Sequence, residues 1–265
     1  MPELPEVETT VRLLRRELVG RRFLRVSLKW PRQCPTPEDL RTELPGREVT
    51  ALSRRGKFIV VHLDPADRTL LVHLRMSGQL SVQPESAPFD PHAHTVFSLD
   101  DGLELRFSDT RKFGRVYLLR DPEDVFAQLG PEPLDSAFCP KWMRERFRTR
   151  KRAIKTLLLE QSVVAGLGNI YADESLFRAQ IDPRRPASSL NSREVRALHR
   201  AIRAVLEEAI EHQGTSFDWV YSGGEMQSRL KVYGRKEQPC SRCATPIQRI
   251  VVGQRGTHLC PRCQR

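Results

Sequence analysis

Gln238-Pro239-Cys240-Ser241-Arg242-Cys243 and, after a further sixteen residues, Cys260-Pro261-Arg262-Cys263 close the chain. Two C-x-x-C knuckles at this spacing offer four thiolates, the soft tetrahedral donor set that Zn²⁺ prefers. Four protein ligands fill the coordination sphere, so the expected ion is structural, one per chain, and not catalytic. The residues between the knuckles, Gln248 to Leu259, read as two strands around Gly253-Gln254-Arg255-Gly256. The stretch therefore predicts a zinc-pinned β-hairpin finger over 238–265. Cys34 and Cys139 fall outside the pattern and read as small hydrophobes or surface thiols. His92 and His94 have no carboxylate or cysteine cluster to join, so they do not read as a second metal site.

Upstream of the finger the periodicity is helical. Asn191 precedes Val195, Leu198, Ile202, Val205, Leu206 and Ala209, an apolar stripe, and Glu194 sits at the capping-box position. Arg196, Arg200 and Arg203 fall on other faces and read as solvated surface. Pro131, Pro133 and Pro140 mark 131–140 as a linker. Before it, from Val49 to Leu119, the pattern is strand-like. Residues 57–63 and 69–74 are short apolar runs, and 103–107 alternate with period two after the turn signal Asp100-Asp101-Gly102. Several short strands with turns suggest a β-sandwich or a barrel. A helix precedes them, with Val7, Val11, Leu14 and Leu18 at helical spacing and Pro5 in its first turn.

The chain has 265 residues, enough for one large domain or two to three small ones. Lys and Arg number 44 against 33 Asp and Glu, a net charge of +11 that favours a polyanionic partner. No stretch approaches the ~18 to 20 apolar residues of a membrane span. The start, MPELPEVE, has no basic segment followed by an apolar run and does not read as a signal peptide. The expectation is a cytoplasmic protein. Pro2 is small, so removal of Met1 is expected and would leave a secondary amine at the chain start. An α-amine ordinarily has a pKa of ~8, so a useful fraction is unprotonated near neutral pH. Such an amine can attack an electrophilic sugar carbon and form an iminium. Glu3 and Glu6 lie close by for proton transfer, or simply complement the dipole of the first helix.

MPELPEVET resembles the start of the formamidopyrimidine-DNA glycosylase family of bacterial base-excision enzymes. The resemblance continues, in order, through residues 73–78 (HLRMSG), 109–114 (DTRKFG), 168–174 (GNIYADE), 232–235 (VYGR) and 254–257 (QRGT), and ends in the cysteine module. It spans nearly the whole chain. Leu4 and the methionine of HLRMSG favour this branch over the sister endonuclease VIII branch.

The resemblance implies an α+β multidomain fold. An N-terminal β-sandwich with flanking helices would occupy 1–130, and a helical helix–two-turns–helix DNA-binding domain 141–237. The zinc β-hairpin finger would follow. DNA would lie in the cleft between the halves. Pro2 would be the nucleophile at C1′ of the damaged nucleotide, and Glu3 the general acid for base release. Lys57 would act in β-elimination and contact phosphate. Arg255 would contact phosphate and assist δ-elimination. Asn169, His92 and Lys151 would contact DNA, and Glu6 would position the site. The implied partner is double-stranded DNA containing oxidised bases, met by a monomer with no membrane contact.

The residues suit this chemistry. C1′ of a stacked nucleotide is out of reach, so the nucleotide must flip, at a cost of a few kcal/mol. Met76 and Phe113 are apolar wedges for the vacated space, or core residues. The adjacent Ser77-Gly78 and Gly114 put both near turns. Arg111 can hydrogen-bond an orphaned base. Asn169 follows Gly166-Leu167-Gly168, a glycine-rich helix opening that presents backbone N–H groups to phosphate or merely caps the helix. One stretch departs from the family pattern. Ser216 to Ser228 is short and lacks the usual residues of the loop over the flipped base, which bears on lesion preference. Trp219 and Tyr221 there could stack on a base or pack on the helical domain. The expected reaction is removal of 8-oxoguanine and formamidopyrimidines, followed by β,δ-elimination. The rival readings are an endonuclease VIII-like enzyme for oxidised pyrimidines and a non-catalytic zinc-ribbon DNA-binding protein.

Overall fold

The computed structural model describes residues 1–88, 90–216 and 223–265; Trp219 and Tyr221 lie outside them. The chain divides into two compact units. The first comprises Met1–Ala127 and Thr215–Gly224, the second Gln128–Gly214 and Glu225–Arg265.

The first unit opens with α1 (Leu4–Leu18), which has proline in its first turn and buries Leu4, Val7, Val11, Leu14 and Leu18. Eight strands follow: β1 (Phe23–Leu28), β2 (Glu48–Arg55), β3 (Phe58–Asp64), β4 (Thr69–His73), β5 (Gly78–Pro84), β6 (Ala93–Leu99), β7 (Leu103–Asp109) and β8 (Arg115–Leu119). They form two four-stranded antiparallel sheets, ordered β1-β6-β7-β5 and β2-β3-β4-β8. Two separate sheets sharing one core make a sandwich and exclude the barrel. Phe23, Phe97, Phe107, Ile59, Val61, Leu70 and Val72 meet in that core with the apolar face of α1. The run 58–61 lacks alternation because both faces of β3 are covered. Ile59 and Val61 enter the core, while on the other face Phe58 packs against the rings of Tyr117 and Phe126. Strand β1 and the short α2 (Pro37–Glu43) carry no clear sequence signal. The bulge between Phe23 and Arg25 breaks the period-two pattern of β1. A short α3 (Glu123–Phe126) ends the main segment of this unit.

The second unit contains α4 (Pro140–Phe147), α5 (Ile154–Leu158), α6 (Asn169–Ala179) and α7 (Ser192–Glu211), then β9 (Gln248–Val252) and β10 (Arg255–Leu259). Helices α5 and α6 are joined by a turn over 161–163 and a bend through Gly166, which has positive φ, with Gly168 extended at the N-cap of α6, the stretch that corresponds to the helix–two-turns–helix element. The cap of α7 forms as its sequence predicts: the Asn191 side chain accepts from Arg193 N and Glu194 N, and Glu194 returns a bond to Asn191 N. Its apolar stripe is buried. The proline-rich 131–140 segment is packed rather than free. Gly130 N donates to Gln161 O, Ala165 N to Pro131 O, and Arg203 Nη1 to Pro133 O. Thr215 and Ser216 return to the first unit, which local sequence does not foretell. No helix among the described residues is long and apolar enough to cross a membrane.

Candidate active site and metal centre

In the first unit α1 begins at Leu4, so Pro2 and Glu3 sit just before its positive end. Pro2, Glu3, Glu6 and Lys57 are all buried. Glu6 Oε2 accepts Glu3 N at 2.9 Å, and Oε1 accepts Thr215 N at 2.8 Å and the Thr215 hydroxyl at 3.3 Å. Glu6 therefore ties the chain start to the returning 215–216 segment. Burial lowers the pKa of the Met1 amine below its ordinary value of 8.0. Glu3 and Glu6 oppose that shift, and Lys57 and Arg111 add to it. With Met1 removed the free amine moves to Pro2, about 3.8 Å along the chain. A cavity of about 340 Å³ opens beside it, lined by Met1, Pro2, Glu6, Leu74, Gly78 and Thr215 among others. Burial shifts the balance toward the unprotonated form of an amine at the chain start, the form that amine nucleophilic catalysis uses.

Met76 lies on the β4–β5 turn, and Arg111 and Phe113 lie on the β7–β8 turn. Met76 is 37% and Phe113 47% exposed, so neither is a core residue. The Arg111 guanidinium lies 5.0 Å from the centre of the Phe113 ring. His73, at the end of β4, is buried, and its Nδ1 accepts Arg75 N at 3.0 Å. Burial first, then the charges of Arg75 and Lys57, hold its pKa down to about 3, so the ring is neutral. His92 is exposed on a loop, where its backbone N–H donates to Asp90 Oδ1 at 2.8 Å.

In the second unit Gly253 and Gln254 form the two-residue hairpin turn, both with positive φ. Arg255 follows at the exposed start of β10. Asn169 is the first residue of α6, and its Nδ2 donates to Gly256 O at 3.0 Å. Lys155 is fully buried, with Nζ 2.6 Å from Asp173 Oδ1, 2.8 Å from Thr257 Oγ1 and 3.0 Å from Gly256 O. Asp173 Oδ2 accepts His258 N at 2.8 Å. Glu174 accepts the backbone N–H groups of Lys231, Val232 and Tyr233. Lys151 is exposed just ahead of α5. The hairpin of Arg255 is thus held by α5 and α6, and the loop over 231–233 by α6.

The four cysteine sulfurs lie within 4.8 Å of one another, with Cys240–Cys263 at 3.9 Å, Cys243–Cys260 at 3.5 Å and Cys243–Cys263 at 3.4 Å. A tetrahedron of Zn–S bonds near 2.3 Å has edges of about 3.8 Å. Arg242 N and Cys263 N donate to the sulfurs of Cys240 and Cys260, which stabilises thiolate. The donor set fits one structural zinc. It is the only such cluster among the described residues. Cys34 is buried and Cys139 half-buried, both free thiols.

The sequence assigns no role to Lys155, nor to His73, Asp173 and Glu174, although the last three lie within the quoted motifs. Their signal was present: Lys155 interrupts the apolar run 154–158, and the two acids interrupt the buried face of α6. A charge inside an apolar helix face asks for a partner.

A β-sandwich holding the chain start among buried ionisable groups, with a helix–two-turns–helix unit ending in a four-thiolate finger, defines a class of two-unit zinc-finger protein. Three family profiles match in succession. The formamidopyrimidine-DNA glycosylase N-terminal domain covers residues 1–116, its H2TH domain 129–219, and the zinc finger found in FPG and IleRS 237–265. A formamidopyrimidine-DNA glycosylase of Roseiflexus sp. is 49% identical over 275 residues, covering all of both chains. A Lactococcus lactis Fpg solved with abasic-site DNA superposes with a TM-score of 0.94 at 39% identity, covering 99% of each chain. A MutM solved with DNA containing carbocyclic 8-oxo-G gives 0.94 at 39% identity over all of both chains. The chain belongs to the formamidopyrimidine-DNA glycosylase family.

Proposed function

We propose that this protein is a bifunctional DNA glycosylase and AP lyase that removes oxidised purines, 8-oxoguanine and formamidopyrimidines, from duplex DNA. The observation that carries the reading is the amine site: a chain start withdrawn among Glu3, Glu6 and Lys57 with its pKa lowered by burial. The solved relatives holding abasic-site and 8-oxo-G DNA support the substrate class. Once Met1 is gone, the Pro2 nitrogen lone pair attacks C1′ and the bond from C1′ to the base breaks. Glu3 supplies the proton that the departing base needs. The Pro2 N–H proton passes to the ring oxygen O4′ as the C1′–O4′ bond breaks, which leaves an iminium between Pro2 and C1′ and acidifies the C2′ proton. Loss of that proton with Lys57 nearby expels the 3′ phosphate, and a second elimination, assisted by Arg255, expels the 5′ phosphate. Water then releases Pro2.

Lys151, Asn169, His92 and Arg255 supply phosphate and backbone contacts, and Glu6 positions the chain start. Met76, Arg111 and Phe113 fill the space that the flipped nucleotide leaves. We assign residues 1–130 to the catalytic domain, 131–140 to its connection, 141–237 to the helical DNA-binding domain and 238–265 to the finger. The protein acts as a monomer in the bacterial cytoplasm, on the nucleoid.

Borohydride reduction in the presence of 8-oxoguanine duplex tests the reading. A covalent adduct is expected, and peptide mass spectrometry should place it on Pro2. An adduct on a lysine would sink the proposed nucleophile. Glu3→Gln should lose base excision while retaining more cleavage of a preformed abasic site, and equal loss on both substrates would contradict its role.

A further inference from the structure

Asp109 ends β7 with no exposed surface, beneath two turns that each carry exposed side chains. The β7–β8 turn carries Arg111 and Phe113, and the β4–β5 turn carries Met76. Asp109 Oδ2 accepts Gly114 N at 2.6 Å, closing the first turn. Oδ1 accepts Arg111 N at 3.2 Å and the Ser77 hydroxyl at 2.5 Å. The Ser77 oxygen in turn accepts Arg111 N at 3.2 Å. One carboxylate therefore satisfies donors from both turns, and Ser77 is the link between them.

Packing repeats the link. A Cβ on Gly114 would fall 2.4 Å from the Phe107 ring, and a Cβ on Gly78 would fall 2.8 Å from the same ring and 2.4 Å from Leu74 O. Both turns rest directly on one buried phenylalanine. Each also holds a non-glycine residue in the left-handed region, Arg75 at φ 56° and Lys112 at φ 58°. Such residues persist there only when their surroundings dictate it. Three donors converge on Asp109, and a carboxylate can accept from all of them. An amide would turn an N–H group toward one of those donors.

We propose that Asp109, acting through Ser77, locks the two turns into a single rigid unit, so that Met76, Arg111 and Phe113 enter the duplex together. This rests on the reading above that those three side chains replace the flipped nucleotide. Asp109 and Ser77 are positioning residues. A side chain that must occupy a gap within a fraction of an ångström works only when its support is fixed. Turns that moved independently would lose freedom at the moment of insertion and slow it.

Ser77→Ala in the zinc-loaded full chain is the test, because it cuts the link and leaves the Asp109 bonds to Arg111 N and Gly114 N. Two single-turnover rates are compared: excision of 8-oxoguanine opposite cytosine, and cleavage of a preformed abasic site opposite a one-nucleotide gap. The gapped substrate has no orphaned base to engage. A drop of about fivefold is expected on the first and under about twofold on the second, with Ser77→Thr, which keeps the hydroxyl, restoring the first. Ser77→Cys, close in volume but a weaker donor, should fall between. In a Met76→Ala background Ser77→Ala should cost less than it does in the parent, since its effect passes in part through Met76. Equal loss on both substrates, no rescue by threonine, or full additivity with Met76→Ala would overturn the inference. So would normal excision by Ser77→Ala while Met76→Ala and Phe113→Ala are slow. If Met76→Ala, Arg111→Ala and Phe113→Ala all excise normally, the gap-filling reading itself fails and the inference falls with it.

Discussion

Replacing Lys155 with methionine should damage the second unit more than any surface change. Lys155 and Asp173 have no exposed side-chain surface, and their charged atoms are 2.6 Å apart. Methionine matches the lysine stem in length but takes the ammonium away from the buried Asp173 carboxyl, which keeps the His258 N–H and has His258 Nδ1 3.5 Å away. Removing one partner of a buried pair typically costs about 3 to 5 kcal/mol. At about 2 to 4 °C per kcal/mol for a chain of this size, the melting temperature should fall by about 6 to 20 °C. The bonds to Thr257 Oγ1 and Gly256 O are lost as well, although Asn169 still holds Gly256 O. The hairpin that carries Arg255 should therefore loosen without detaching, and strand cleavage should lose more than base excision. The assay is urea and thermal unfolding of the zinc-loaded protein, followed by circular dichroism. Lys155→Met combined with Asp173→Leu removes both charges and should recover part of the loss, since buried ion pairs give little net stability over apolar pairs. A single variant within about 1 kcal/mol of the parent, or a double variant no better than the single, would refute this account.

Three further outcomes are expected. Cys260→Ser should abolish the single zinc measured by metal analysis and weaken DNA binding with little change in melting of the β-sandwich; undiminished affinity in zinc-free protein would make the finger dispensable. His73, neutral in the fold with a pKa of about 3 against about 6.5 unfolded, lets the unfolded chain bind the extra proton between those values. Its contribution therefore leaves stability unchanged above pH 6.5 and lowers it as pH falls toward 3, by up to about 1.4 kcal/mol per pH unit. His73→Gln should flatten the acid limb of an unfolding series, and an unchanged limb contradicts the buried neutral ring. Arg111 is donor-only, so it should favour an orphaned cytosine, with acceptors at O2 and N3, over adenine, by about 1 to 3 kcal/mol. Excision opposite cytosine should outpace excision opposite adenine, and Arg111→Ala should shrink the difference; a full preference in that variant would mean another group reads the base.

What the sequence settles by itself is local. Ligand type and spacing over a few residues announce the zinc knuckles, because a metal needs those atoms whatever surrounds them. The Asn191–Glu194 cap and the stripe behind it depend only on helix geometry. Strands such as Leu103–Asp109 show their period, while Phe23–Leu28 hides its own behind a bulge. The family motifs single out Pro2, Glu3 and Arg255 as candidate residues, and the wider resemblance adds Lys57. They do not say what holds them. That is decided by contacts between distant parts of the chain: Thr215 on Glu6, Ser77 on Asp109, Lys155 on Thr257, and Glu174 on the 231–233 backbone. No local pattern fixes such pairs, because a buried polar group specifies only that it needs a partner. Which partner it meets follows from topology, as when β4–β5 and β7–β8 bring two turns onto one phenylalanine.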